Sequence, residues 1–486
     1  MKFIVIGITD NPSPWFPPEV LQIISQGKVF SGGKRHHEIV APLLPKDAVW
    51  IDITAPLDAV FEQYKTLPQP FPVRDGNGHA EGENLSSPLL CREGQGGGSL
   101  IVFASGDPLF FGFANTIKRK MPEAEIVLYP TFNSLQMLAH RLLMPYHDMH
   151  IVSLTGRPWP AFDRALIERT AKIGVLTDRE HTPAAIAQRM LDYGYTNYTM
   201  HVGEHLGNPA LEKVSTMTLE EAILHYFDYP NCIILASDKL GLTRTKQLEV
   251  RNSPFQSAAK SFGLPDARFA LLDGREKMIT KMPIRLLTLQ DLDLPRRHVF
   301  WDIGFCTGSV SIEARLLFPH LEIHAFEIRP ECEAIIHENA RRFGAPGINV
   351  HIGDFLNTPL PSGEGPGVGL PLPSGEGPGV GLPLPSGEGS GVRLPLPSGE
   401  GLGERLPDAV FIGGHGGRLK EIMSKVLTVL APGGVIVFNS VSSPHVPTNS
   451  RLLWDEACAA LSLSQDPPLH VQLNDHNPID ILKAFR

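Results

Sequence analysis

Short apolar runs, each followed by a longer amphipathic stretch, recur along most of the chain. The runs at 2–6, 49–53, 100–104, 125–129, 150–154, 173–177, 199–202 and 232–236 carry few polar positions. That pattern predicts strands buried on both faces. Stretches at 17–25, 109–119, 133–143, 161–169 and 182–193 repeat apolar residues at helical spacing and predict helices. A second series follows, with strands near 299–303, 322–326, 349–352, 408–412 and 434–438 and helices between them. The alternation predicts an α/β fold through both halves of the chain, and in the second half a doubly wound sheet.

Two segments break the pattern. From Pro359 the unit Pro-Leu-Pro-Ser-Gly-Glu-Gly starts four times, at Pro359, Pro371, Pro383 and Pro395, a period of twelve. Dense Pro and Gly with few large apolar side chains cannot offset the entropy of ordering, so 359–406 reads as a disordered insert between the third and fourth strands of the second half. A loop tolerates such growth because closure entropy rises slowly with length. Residues 74–98, ending in Gly-Gln-Gly-Gly-Gly, read as a second low-complexity insert. Both are expected to be passengers. The polar stretch 239–262 reads as a linker, which divides the chain into domains at 1–238 and 263–486.

Length agrees with this division, since 486 residues exceed one ordinary core. The balance of 43 basic against 52 acidic residues, net −9, argues against an extended phosphate-binding surface and so against nucleic acid as a partner. The apolar run after Met1 is too short for a signal peptide, and no uninterrupted apolar stretch is long enough to span a bilayer, so the cytoplasm is the default location. Five dispersed cysteines without a Cys-x-x-Cys predict neither a disulfide framework nor a metal site.

The chemistry is concentrated at strand ends. Val299–Ile303 runs into Gly304-Phe305-Cys306-Thr307-Gly308 and then a helix start at Ser309. This strand, glycine turn and helix let backbone approach a ligand closely and aim free N–H groups at it. About twenty residues on, a second strand ends in Glu327, and a third ends in Asp354-Phe355. In the order of a doubly wound nucleoside site, Asp302 would order the loop through backbone N–H groups, Glu327 would hold a ribose, and Asp354 would accept from an adenine amino group.

The stretch 301–440 resembles the class I fold of S-adenosylmethionine-dependent methyltransferases. Its fourth strand and loop, Asp408 to Gly417, are similar to those of the cobalamin-pathway branch that methylates carbon 15 of a precorrin ring and decarboxylates its acetate side chain. The resemblance implies cofactor contacts at Thr280, in Met278–Arg285, and at Asp302, Gly304, Phe305, Cys306, Thr307, Gly308, Glu327, Asp354 and Phe355. The family usually has Gly where Cys306 stands, and a positive φ there would make Cys costly. No nucleophilic side chain is called for, and His415 in the Gly-Gly-His-Gly-Gly loop is a weak candidate for guiding a proton.

In the first half, Val102–Gly112 reads as a strand, a Gly-Asp-Pro turn and a helix start. With Val29–His36, Ser153–Pro158 and Leu176–Pro183 it resembles the tetrapyrrole methylase family, in the branch that methylates carbon 5 of the ring. The resemblance implies a class III, two-lobed methyltransferase with a second S-adenosylmethionine in its cleft. Gly106 and Asp107 would line that cofactor, and Asn133 and Ser134 would start the helix closing over it. The loops Gly7–Pro12 and Pro130–Ser134 depart from the family pattern.

The implied substrate is a polycarboxylate tetrapyrrole, so cations must be concentrated locally on an acidic protein. Lys34, Arg35, His36, Arg157 and Arg285 are the candidates, with His37 beside the first group. The chain is free to form a homo-oligomer. Two other readings compete: a methyltransferase of another substrate such as RNA, which leaves the first half unexplained, and a catalytically silent tetrapyrrole- or cofactor-binding protein.

Overall fold

Parallel strands buried on both faces organise this chain, and in each half the strand order reverses at one point. The computed structural model describes residues 1–67, 99–237, 262–273, 275, 278–360, 406–441, 450–473 and 478–485. The predicted insert 74–98, residues 361–405 of the predicted insert 359–406, and nearly all of the predicted linker 239–262 lie outside the described residues.

The first lobe runs β1 (Lys2–Ile8), α1 (Pro18–Gln26), β2 (Val29–Gly32), α2 (Lys34–Val40), β3 (Val49–Asp52), α3 (Leu57–Thr66), β4 (Ser99–Ser105), α4 (Phe113–Lys120) and β5 (Glu125–Tyr129). Its sheet is all parallel in the order β3-β2-β4-β1-β5. Alternate residues of β1 feed opposite cores: Phe3 and Val5 pack with α3 and α4, Ile4, Ile6 and Ile8 with α1 and α2. That is why the strand reads as one apolar run rather than an alternating one.

The second lobe runs α5 (Ser134–Arg141), β6 (His150–Ser153), α6 (Pro160–Ile167), β7 (Lys172–Leu176), α7 (Pro183–Asp192), β8 (Tyr198–Glu204), β9 (Lys213–Met217), α8 (Leu219–Ala222) and β10 (Asn231–Ser237). Its sheet, β6-β7-β10-β8-β9, is parallel only between β6 and β7.

The second half adds α9 (Met282–Asp291), β11 (Val299–Ile303), α10 (Ser309–Leu317), β12 (Glu322–Glu327), α11 (Glu331–Phe343), β13 (Ile348–Ile352), β14 (Ala409–Ile412), α12 (Leu419–Leu427), β15 (Val435–Val441), α13 (Ser450–Ala460), β16 (Ser464–Gln465), β17 (Leu469–Val471) and β18 (Ile479–Phe485). The order is β13-β12-β11-β14-β15-β18-β16, with β17 also on β18. It is parallel as far as β15 and antiparallel from β18 onward. The halves meet where the buried Tyr195 hydroxyl donates to the Gly344 carbonyl at 2.8 Å.

Each strand predicted from the apolar runs is present within a few residues of its expected bounds. The short β2 and β9 and the antiparallel β16 to β18 are additional. Ser31 makes β2 look like a polar turn, yet it is buried, its hydroxyl donating to the Ile51 carbonyl at 2.7 Å. The helix expected from 109 starts only at Phe113, because Phe111 adopts φ +53° and breaks the helical run before it.

Candidate active sites

In an open α/β sheet, ligands bind beyond the carboxyl ends of strands where connections leave to opposite sides. In the second half that point lies between β11, which leads to β12, and β14, which leads to β15. Two glycine loops meet there. The Gly413 N–H donates to the Ile303 carbonyl at 2.7 Å, and a Cβ on Gly304, at φ +83°, would lie 2.6 Å from the Gly414 nitrogen. Only glycine lets the two loops approach this closely.

Around this crossing the expected residues fall into place with some changes of role. Cys306 sits at φ +50°, in the left-handed region, and its N–H donates to Glu327 Oε2 at 3.0 Å. Glu327 does stand at the end of β12, but it is already engaged: the Arg329 guanidinium donates to Oε1 at 2.9 Å and to Oε2 at 2.7 Å. Burial acts to raise the Glu327 pKa, and the Arg329 hydrogen bonds and charge outweigh it, so the net shift is downward. A ribose reaching this carboxylate must therefore compete with Arg329.

Asp302 differs from expectation. It is fully buried and bonds to the Ser311 hydroxyl in the first turn of α10, at 2.6 Å, rather than to the loop. Burial pushes its pKa up to about 7. Its Oδ1 and the Thr307 hydroxyl, also buried, have no hydrogen-bond partner among the described residues. Buried polar atoms left open at a glycine cradle fit a polar ligand such as a nucleoside methyl donor. Gly308, at φ +72°, caps α10. Phe305 and Phe355 are buried, Phe355 edge-on to Trp301 and Phe326. Asp354 is bonded by the Leu356 N–H at 3.1 Å and by Arg418 at 2.9 Å, which hold its pKa below the usual range. His415 accepts from the Gly417 N–H at 3.1 Å, and burial lowers its pKa.

Arg285 is not a substrate cation. It is completely buried, donates to Glu313 at 2.9 Å and Asp266 at 3.1 Å, and also bonds the carbonyls of Thr280 and Leu264. Glu313 in turn accepts from the Gly263 and Leu264 N–H groups. The arginine therefore clasps the start of the second half onto α10 and fixes the Thr280 segment from behind.

The first half has its reversal between β1, which leads to β2, and β4, which leads to β5. Gly7 and Gly106 cross here, and a Cβ on Gly7 would lie 2.1 Å from the Gly106 carbonyl oxygen. Asp107 accepts from the Leu109 N–H at 2.9 Å, which shapes the turn. Asn133 caps α5, accepting from the Gln136 N–H at 2.9 Å, and the Ser134 hydroxyl lies against the buried Cys232 thiol.

Of the cations expected here, Lys34 is exposed and Arg157 is half-buried over the Phe111 ring. His36 is a correction, because burial drives its pKa down to about 4 and leaves it neutral at pH 7. Arg35 reaches across the strand ends, donating to Asp10 Oδ1 at 3.1 Å and to the Ser105 hydroxyl at 3.0 Å. Asp10 Oδ2 accepts from His205 Nδ1 at 2.9 Å, so the second lobe is tied to the first. The motifs do not single out Asp10, Ser105 or His205. Their signal is position, as each ends a strand or lies within two residues beyond one, and Arg329 is marked in the same way after β12.

Comparison with known proteins finds relatives for both halves of the chain. The family model described as tetrapyrrole (corrin/porphyrin) methylases matches residues 2–223, and the one described as a precorrin methyltransferase domain matches 273–359. A cobalt-precorrin-6B C(15)-methyltransferase (decarboxylating) of Salmonella typhi is 31% identical over 218 residues, 43% of this chain and 91% of the relative. The chain belongs to the precorrin methyltransferase family. A precorrin-6Y C(5,15)-methyltransferase [decarboxylating] of a Sinorhizobium species is 27% identical over 440 residues, covering 90% of this chain and 84% of the relative. A cobalt-precorrin-7 C(5)-methyltransferase of Salmonella typhimurium is 23% identical over 202 residues, 42% of this chain and 84% of the relative. Among the described residues of this precorrin methyltransferase, no helix is long and apolar enough to cross a membrane and no acid, His and Cys cluster could hold a metal.

Proposed function

We propose that this chain transfers methyl groups from two S-adenosylmethionine molecules to carbons 5 and 15 of a precorrin-6B-type ring and decarboxylates the ring's acetate side chain, giving a precorrin-8-type product. One observation carries the reading. A single chain holds two independent strand-order reversals, each with a glycine crossing and strand-end polar groups, and each half resembles a separate single-site relative.

Carbon-15 methylation and decarboxylation belong to the β11/β14 cleft, and carbon-5 methylation to the β1/β4 cleft. The relatives' names, a cobalt-precorrin-6B for the carbon-15 enzyme and a cobalt-precorrin-7 for the carbon-5 enzyme, imply that the second half works first. Methyl transfer needs the ring carbon in line with the sulfonium methyl, so positioning supplies much of the rate. In the second half Gly304 and the Gly413 loop shape the floor, while Thr280, Glu327 and Asp354 are the contacts assigned to the methyl donor. In the first half Gly106, Asp107 and Ser134 take that role, and Lys34, Arg35 and Arg157 face the ring carboxylates.

Incubating the purified chain with precorrin-6B and excess S-adenosylmethionine tests this. The expected result is two equivalents of S-adenosylhomocysteine and one of carbon dioxide per ring. A single methylation without gas release overturns the bifunctional assignment.

A further inference from the structure

The polar network bridging the two lobes of the first half ends in an imidazole that neither family resemblance nor motif accounts for. His205 directly follows β8 and holds φ +48°, a left-handed conformation uncommon outside glycine that histidine adopts more readily than most side chains. Its backbone N–H is tied to the Pro230 carbonyl at 2.9 Å, which helps hold the residue in that conformation. Strain of this kind, over-determined by its surroundings, collects at functional sites.

The geometry around the ring is directional. An aspartate carboxylate only accepts, so the 2.9 Å contact to Asp10 Oδ2 puts a proton on Nδ1, and in the neutral ring the lone pair is then on Nε2. Nε2 has no hydrogen-bond partner among the described residues. Arg35 holds Asp10 Oδ1 at 3.1 Å and is itself fixed by Ser105, so the carboxylate cannot turn away from the imidazole. The other imidazole of the network, His36, already has its Nε2 2.9 Å from the Ser105 hydroxyl. His205 is thus the network's open end, and it lies at the carboxyl edge of β1 and β4 where the first-half ligands are expected.

Resting on the carbon-5 assignment above, we infer that His205, oriented by Asp10, takes the proton that leaves the ring when carbon 5 is methylated. Carbon 5 attacks the sulfonium methyl. The new carbon–carbon bond forms as the carbon–sulfur bond breaks, and its electron pair stays on sulfur as neutral S-adenosylhomocysteine. Methyl replaces hydrogen on the ring, so one proton must depart, and Nε2 receives it. Asp10 then faces an imidazolium, which its charge stabilises.

The test is to follow each methyl separately in the full chain with carbon-13-labelled donor, because carbon-15 methylation and carbon dioxide release in the same molecules report an intact second half, and the pH profile of the carbon-5 rate separates a lost base from a damaged first half. The charged groups meeting this imidazole are Asp10 and, through it, Arg35, with the Arg141–Glu212 pair packed beside neighbouring Gly207. In the wild type the carbon-5 rate should rise with pH as one group loses a proton. His205→Gln should lower that rate about 10²-fold and abolish the rising limb, with the carbon-15 rate unchanged. Asp10→Asn, isosteric with aspartate, should lower it roughly tenfold and displace the limb.

A carbon-5 rate within about threefold of wild type in His205→Gln, or a lowered rate that keeps the wild-type limb, overturns the inference. Should His205→Gln lose both activities, Asp10→Asn decides, and an unchanged rate and profile there overturns it. A wild-type chain that adds no methyl at carbon 5 removes the functional assignment itself, a result distinct from these.

Discussion

Cys306 shows how one side chain can be both tolerated and costly. At φ +50° its Cβ crowds the following carbonyl, a penalty of about 1–2 kcal/mol that glycine would escape. Part of that gain is lost to the greater freedom of glycine in the unfolded chain. Cys306→Gly should therefore change stability by less than about 1 kcal/mol while tightening S-adenosylmethionine binding at the second-half site, measured by titration calorimetry against wild type. Asp302 makes the opposite trade. Its pKa rises from 3.8 to about 7 through burial, so between those values the folded state keeps a proton that the unfolded chain has released. Stability of the second half should thus fall as pH rises from about 4 to about 7. Asp302→Asn should flatten that decline, as read from melting temperatures across the interval. Neither effect is visible in the local sequence, since the glycine turn at 304–308 looks the same whichever φ the third residue takes.

At the scale of elements, contacts between segments far apart in the chain decide the sites. Two glycine loops, after β11 and after β14, lie against each other because Gly304 leaves room for the Gly414 backbone. Their presence was legible as strand, turn and helix start, and so were the strand-ending Glu327 and Asp354. The occupation of Glu327 by Arg329 was not, because a guanidinium two residues on reads equally well as a solvated charge. Likewise Arg285 looks like any helix-face cation until Glu313 and Asp266 are seen to enclose it. Between the halves, Tyr195 covers the C-terminal glycine of α11. Tyr195→Phe leaves the buried Gly344 carbonyl without its donor and should cost about 1–2 kcal/mol, seen as an earlier unfolding midpoint in urea.

For the molecule as a whole, the chain carries two strand-order reversals, each with a glycine crossing and each proposed above as a methyl-transfer cleft, in one polypeptide with long inserts in its sequence. In chain order the repeat falls between β13 and β14. Replacing 361–405 by a short Gly-Ser linker should leave both methylations and the carbon dioxide yield within about twofold of wild type, since closure entropy depends only weakly on loop length. A collapse of either activity in that variant would mark the insert as functional.

Apolar periodicity, turn chemistry and strand-end carboxylates, all local properties, were enough to determine the α/β class and the glycine turns at 106 and 304–308. Such features survive in sequence because they reflect neighbours within a few residues. Which polar groups are spent on structure and which stay open was decided only on folding. Burial lowers the pKa of His36 and raises that of Asp302, and long-range pairing encloses Arg285. The meeting of Asp10 and His205, 195 residues apart, depends on one lobe closing against the other. Desolvation and contact between distant segments are products of the tertiary structure, and no local pattern encodes them.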